Sequence, residues 1–206
     1  MKVVLNLDDF SVVNNHLDLL LKLKEHFLNF KVSLFTVPID RKSDWGPYCN
    51  RQIFLERIKQ NLDWMQIIPH GLTHDSSREM QDLDYDTFKN KIIPAIKEAF
   101  NKDELPFVSG FKAPHWKWSE GVVKALDEEG WFGAIQRENK MTSTKKFYQY
   151  THLLNEPFWE SDLPVLKLHG HIYGTRSDFE ACFPNLLKLP LDTQWYFVTD
   201  FLEDKI

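Results

Sequence analysis

"VVLNLDDFS", running from Val3 to Ser11, decides how this chain is read. Val3–Leu7 has the β-branched and apolar character of a strand interior. Two adjacent carboxylates, Asp8 and Asp9, follow where that strand should end. Neighbouring side chains on a strand point to opposite faces, so the two acids need not share one task. Adjacent anions also raise each other's pKa unless a cation lies between them. An Asp-Asp pair here can simply cap the following helix or shape a turn. The company the pair keeps along the chain separates that use from chemistry.

Strand and helix patterns alternate outward from this stretch. Strands are expected at Val3–Leu7, Val32–Val37, Met65–Pro69, Phe107–Phe111, Phe132–Ile135, Gln149–Leu153, Val165–Leu168 and Trp195–Thr199. Helices are expected over Asn14–Phe27, Arg51–Asn61, Tyr85–Phe100, Ser119–Glu129 and Phe179–Leu187. Pro94 should kink or break the third of these, and Gly130 closes the fourth. Such alternation over 206 residues predicts one α/β domain, residues 1–206, with a mostly parallel sheet covered by helices. The strand count predicts a distorted or incomplete parallel (β/α) barrel of about seven strands, with chemistry where strands run into loops.

Composition narrows the partners. A formal charge of -5 argues against a nucleic-acid backbone, which calls for a basic footprint. Two cysteines, Cys49 and Cys182, form neither a disulfide framework nor a zinc-type pair. The first residues lead directly into a strand without the basic and apolar regions of a secretory signal, and no apolar run has membrane-spanning length. A cytoplasmic protein is expected. The oligomeric state is not encoded in any recognisable pattern.

Polar residues recur just after the expected strands: Asp8-Asp9, then "HGLTH" from His70 to His74, "KAPHW" from Lys112 to Trp116, and "HGH" from His169 to His171. Two histidines four residues apart can share a cation, or can be ordinary surface groups. With one carboxylate they form a set that leaves open positions on a divalent metal, the arrangement of catalytic sites. The second acid then stays free to act as a base.

In order and placement, "LDDF", "HGLTH", "FKAPHW" and "LKLHGH" resemble the motifs of the metal-dependent polysaccharide deacetylases, the carbohydrate esterases with a chitooligosaccharide deacetylase-like domain. The resemblance runs through nearly the whole chain, to "YFVTDFL" near its end. It implies a distorted β/α barrel that removes acetyl groups from N-acetylated or O-acetylated sugars or glycans. It further implies Asp8 as general base and Asp9, His70 and His74 as ligands of a divalent ion, Zn2+ or another first-row metal. Lys112 stands where the family has arginine, which keeps the cation beside the base but loses the bidentate fork. His115 stands near the family's tyrosine, whose backbone N–H helps hold the developing oxyanion. Either His169 or His171 can be the late histidine that acts as general acid; His169 is expected, because it directly follows the apolar run. The family's tryptophan-containing fourth motif has no clear counterpart, with Trp131 and Trp159 as candidates. Trp116 and Trp45 are candidate substrate contacts, and Asp75 a candidate acceptor for the His74 imidazole. Two alternatives stay open: a sugar-binding protein without turnover, and a hydrolase of a non-sugar C–N bond on the same metal site.

Overall fold

Along β1 (Lys2–Phe10) alternate residues go to different surroundings. Val3, Leu5 and Leu7 belong to the main hydrophobic core, while Val4 belongs to a second cluster with Phe35, Ile68, Phe132 and Tyr148. Asn6 and Asp8 continue the Val4 face, and both are buried. A strand of period two in a sheet covered on both sides gives this result: one face meets the helices, the other the inside of a curved sheet. The inner face is apolar at its base and polar toward its C-terminal end.

The computed structural model describes residues 1–12, 15–39, 51–76, 78–138, 143–172, 174 and 177–205. After β1 come α1 (Leu17–His26), β2 (Val32–Thr36), α2 (Arg51–Lys59) and β3 (Met65–Pro69). A long helix follows as α3 (Tyr85–Thr87), a π-helical stretch (Phe88–Ile92) and α4 (Ile93–Lys102). Then come β4 (Gly110–Phe111), α5 (Glu120–Glu128), β5 (Phe132–Ile135), β6 (Lys146–Gln149), β7 (His152–Leu153), β8 (Val165–His171), α6 (Phe179–Leu186), β9 (Gln194–Tyr196) and β10 (Glu203–Asp204). Among the described residues no helix is long and apolar enough to cross a membrane.

One sheet has the order β3-β2-β1-β8-β7, and a second the order β10-β6-β5-β4. All pairings are parallel except that of β10 with β6. The two sheets meet at β3 and β4, where Val108 N–H donates to Ile67 O (2.9 Å), Lys112 N–H donates to Pro69 O (3.1 Å), and His70 bridges Lys112. Among the described residues no ladder joins β6 to β7 or β8. The result is the expected distorted, incomplete barrel. β9 pairs with Lys2–Val4 of β1, on the edge that β2 covers only from Asn6 onward.

Several expected elements end differently, for physical reasons. The strand expected at Gln149–Leu153 splits at Tyr150, where the chain leaves β5 and Thr151 N–H turns to Lys167 O on β8 (2.8 Å). The one expected from Phe107 forms its ladder with β5 at Gly110–Phe111, and that at Trp195–Thr199 becomes a 3₁₀ turn from Val198. β8 runs three residues beyond its apolar stretch, through the histidines to His171. Pro94 neither breaks nor ends its helix. It follows the π-helical stretch, in which Ile93 N–H bonds Phe88 O, so the widened turn accommodates a ring that would crowd a regular α-turn. Neither Asp8 nor Asp9 caps α1, whose N-cap is His16.

Candidate active site

At the C-terminal end of β1 the alternation fails. The register with β2 shifts between Leu7 and Phe10, and Asp9 takes a left-handed backbone (φ 62). Such a bulge re-aims a side chain. Asp8 and Asp9, which a regular strand would send to opposite faces, both line one cavity of about 280 Å³ with His70, His74, Lys112, His115, Trp116, Gln136 and His171. Asp9, His74, His115 and Trp116 all have positive φ without being glycine, a concentration of backbone strain found at functional sites.

Asp9 meets both histidines of "HGLTH". Its Oδ1 lies 3.3 Å from His70 Nε2 and 3.2 Å from His74 Nε2. His70 directly follows β3 and is buried, and its Nδ1 lies 3.1 Å from Lys112 O. A carbonyl can only accept, so the Nδ1 proton is committed there. A neutral His70 therefore turns a lone pair from Nε2 toward Asp9, and either a second ring proton or a metal ion must occupy that space. Burial lowers the His74 pKa, and the charge of His70 adds to this. Burial pushes the Asp9 carboxyl up, but the hydrogen bond and charge of His70, with the charges of His74 and His171, hold it down at about 2. One carboxylate and two imidazoles, with ligand atoms within 4.8 Å of one another, fit a first-row divalent cation.

Asp8 is buried and belongs to a different group. The Lys112 ammonium lies directly against its Oδ2, and His169 Nε2 and His171 Nε2 each stand 3.6 Å from the same oxygen. Lys112 is also buried, and burial pushes its pKa well down while the carboxylate beside it pulls the other way. Its Nζ sits 3.8 Å from the centre of the Trp116 ring, a cation–π contact.

The two late histidines have different positions. β1 and β8 pair Asn6 with His169 and Asp8 with His171, so His169 lies one step deeper in the barrel. Asn6 Nδ2 donates to Leu168 O (2.7 Å), which leaves its Oδ1 to accept from His169 Nδ1 at 2.7 Å. His169 is 1% exposed, stacks on Tyr150, meets the edge of Trp116 and does not line the cavity. Its proton faces away from Asp8, and burial drives its pKa well down. His171 lines the cavity, its Nδ1 3.0 Å from Ser177 Oγ; burial and the Lys112 charge lower its pKa to about 4.

His115 is exposed at the mouth, its ring centroid 5.6 Å from that of His74. Trp45 lies outside the described residues. Trp131 is core, edge-on to Phe107, and Trp159 packs on Phe158 under Lys188; neither lines the cavity. Sequence reasoning missed Gln136, which follows β5 by one residue, and Asn6, whose position on the inner face of β1 was the available signal.

No family model matches the chain, and no curated protein matches it in sequence. Solved structures do match its fold. A T48 deacetylase with substrate superposes with a TM-score of 0.62 at 13% identity over 98% of this chain and 94% of that one. A family 4 acetyl xylan esterase from Clostridium thermocellum, in complex with a cobalt ion, gives 0.59 at 13% identity over 97% and 89%. A family 4 pseudoenzyme from Bacillus anthracis gives 0.58 at 16% identity over 97% of this chain and 64% of that one. The chain has the polysaccharide deacetylase-like fold.

Proposed function

We propose that the protein is a metal-dependent hydrolase that removes an acetyl group from an N-acetylated or O-acetylated sugar or glycan. The observation that carries this reading is the bulge at Asp8-Asp9. It turns two adjacent carboxylates into one cavity and gives them separate partners, histidines for Asp9 and a buried lysine for Asp8. The likeness to deacetylases and esterases supports the substrate class.

Asp9, His70 and His74 hold the divalent cation, Zn2+ or another first-row ion. Such an ion polarises an acyl carbonyl and acidifies water at neutral pH. Asp8 takes the proton of the attacking water, and Lys112 keeps it ionised while buried. The backbone at His115 supplies an N–H to the charge growing on the acyl oxygen. The proton donor to the leaving nitrogen we assign to His171 rather than to the expected His169. It lines the cavity with its Nε2 3.6 Å from Asp8 Oδ2, so the proton that Asp8 takes from water passes to it and on to the nitrogen, whereas His169 lies one step deeper and does not line the cavity. His169 then serves as packed support. Trp116 and Trp45 are assigned to the sugar.

The test is bound-metal analysis followed by acetate release from N-acetyl and O-acetyl sugars. Turnover that a chelator abolishes is expected; metal without turnover on any acetylated sugar points to a binding protein or to a non-sugar amide. His171→Ala should lose activity selectively on the N-acetyl sugar compared with an activated acetate ester, because an amide nitrogen leaves poorly without a proton. Should His169→Ala show that selective loss instead, the donor assignment is reversed.

A further inference from the structure

We propose that Glu79 is a positioning residue for the metal centre: its carboxylate holds the turn from Gly71 to His74 in the conformation that aims His74 at Asp9. The inference rests on the metal reading of Asp9, His70 and His74. The two imidazoles are secured differently. His70 is at a strand end, 1% exposed, with its ring tied to Lys112 O. His74 is in a loop, its side chain 25% exposed, with a left-handed backbone (φ 56) that non-glycine residues seldom adopt. Its ring meets Asp9 and the rings of His70 and His115. Neighbours have to hold a backbone in that strained conformation.

Glu79 does so with both oxygens. Oε1 accepts from Leu72 N–H (3.1 Å), Thr73 N–H (2.7 Å) and Thr73 Oγ (3.1 Å), and Oε2 accepts from His74 N–H (3.0 Å). Three successive backbone N–H groups around one carboxylate form an anion nest, with charge-assisted bonds. The approach is close enough that a Cβ on Gly71 (φ +62) would stand 2.6 Å from Glu79 Oε2 and 2.7 Å from Pro114. Glu79 is itself fixed from the next residue, since Met80 is buried in the core and its carbonyl accepts from Ser119 N–H (3.1 Å) at the start of α5. The position of His74 is thus referred to the core through Glu79.

Co2+ binding, followed by visible absorption, tests this on Glu79→Gln, His74→Ala and the double variant. Glutamine keeps the size but replaces one acceptor oxygen with a donor, so one N–H of the turn loses its partner. Supporting groups of metal ligands are worth about 10–100-fold in affinity, and a loss of that size is expected for Glu79→Gln, with a changed Co2+ spectrum and unchanged near-UV circular dichroism. In the His74→Ala background Glu79→Gln should cost nothing further, because its effect passes through a ligand already removed. The inference alone is overturned if Glu79→Gln binds Co2+ like the wild type, or if it costs the same factor with and without His74. A wild-type chain that takes up no Co2+ overturns the metal reading and this inference together.

Discussion

Asp8→Asn should retain metal and lose turnover by about 10²–10⁴-fold, the usual worth of a general base. Asp8 faces Lys112 and the late histidines, whereas the contacts with His70 and His74 belong to Asp9. Asparagine fills the same space but cannot take a proton from water. Its drawback is that Lys112 loses its anion, so near-UV circular dichroism must show the fold intact before turnover is compared. Asp9→Asn is the comparison, and should lose metal together with activity. Elemental analysis and acetate release on both variants decide the matter. Equal loss of metal from the two would show that the division of labour between the acids is wrong.

Lys112→Met should be the most damaging substitution for stability, by roughly 3–5 kcal/mol, the range for removing one partner of a buried ion pair. Both Lys112 and Asp8 are at most 2% exposed at their side chains, and the carboxylate would be left in place without its cation. Denaturant unfolding of the metal-free protein measures the cost without interference from bound ion. The double variant Asp8→Asn, Lys112→Met should recover much of it, because the orphaned charge is then gone. A single variant within about 1 kcal/mol of wild type, the scale of an exposed ion pair, would mean the contact contributes little. The same pairing explains why a lysine can occupy this position: a point charge suffices where one oxygen is met from one side.

Much of the barrel could be read from the sequence, because buried parallel strands are short apolar runs between helical patterns. β2, β3 and β5 appear close to their expected limits, while β1 runs on through both acids to Phe10. The errors fall where pairing, not composition, sets the ends. Tyr150 looks like strand interior, but at that point the chain changes partners. Within the site, the strand-end position identified the acids and histidines that the structure gathers around the cavity. It could not reveal the bulge at Asp9, because no residue type announces it. It also ranked His169 above His171 by the length of an apolar run, whereas depth in the barrel depends on register with β1. Glu79 left no trace. Asp75, adjacent to His74, drew attention by proximity, while the carboxylate that closes on the turn comes from farther along an irregular segment.

The two edges of β1 are both taken, by β8 on one side and by β9 and then β2 on the other. Amide protons so enclosed reach solvent only when the whole fold opens, whereas the turn that carries His74 can open on its own. The acids and the second imidazole therefore sit on parts of the molecule with different opening free energies. An ion shared between Asp9 and His74 ties those parts together. In the metal-free protein, hydrogen exchange at Thr73 and His74 should run far ahead of exchange at Val3–Leu7. Metal should bring the two rates closer, so that the slowest-opening strand sets the lifetime of the loaded site.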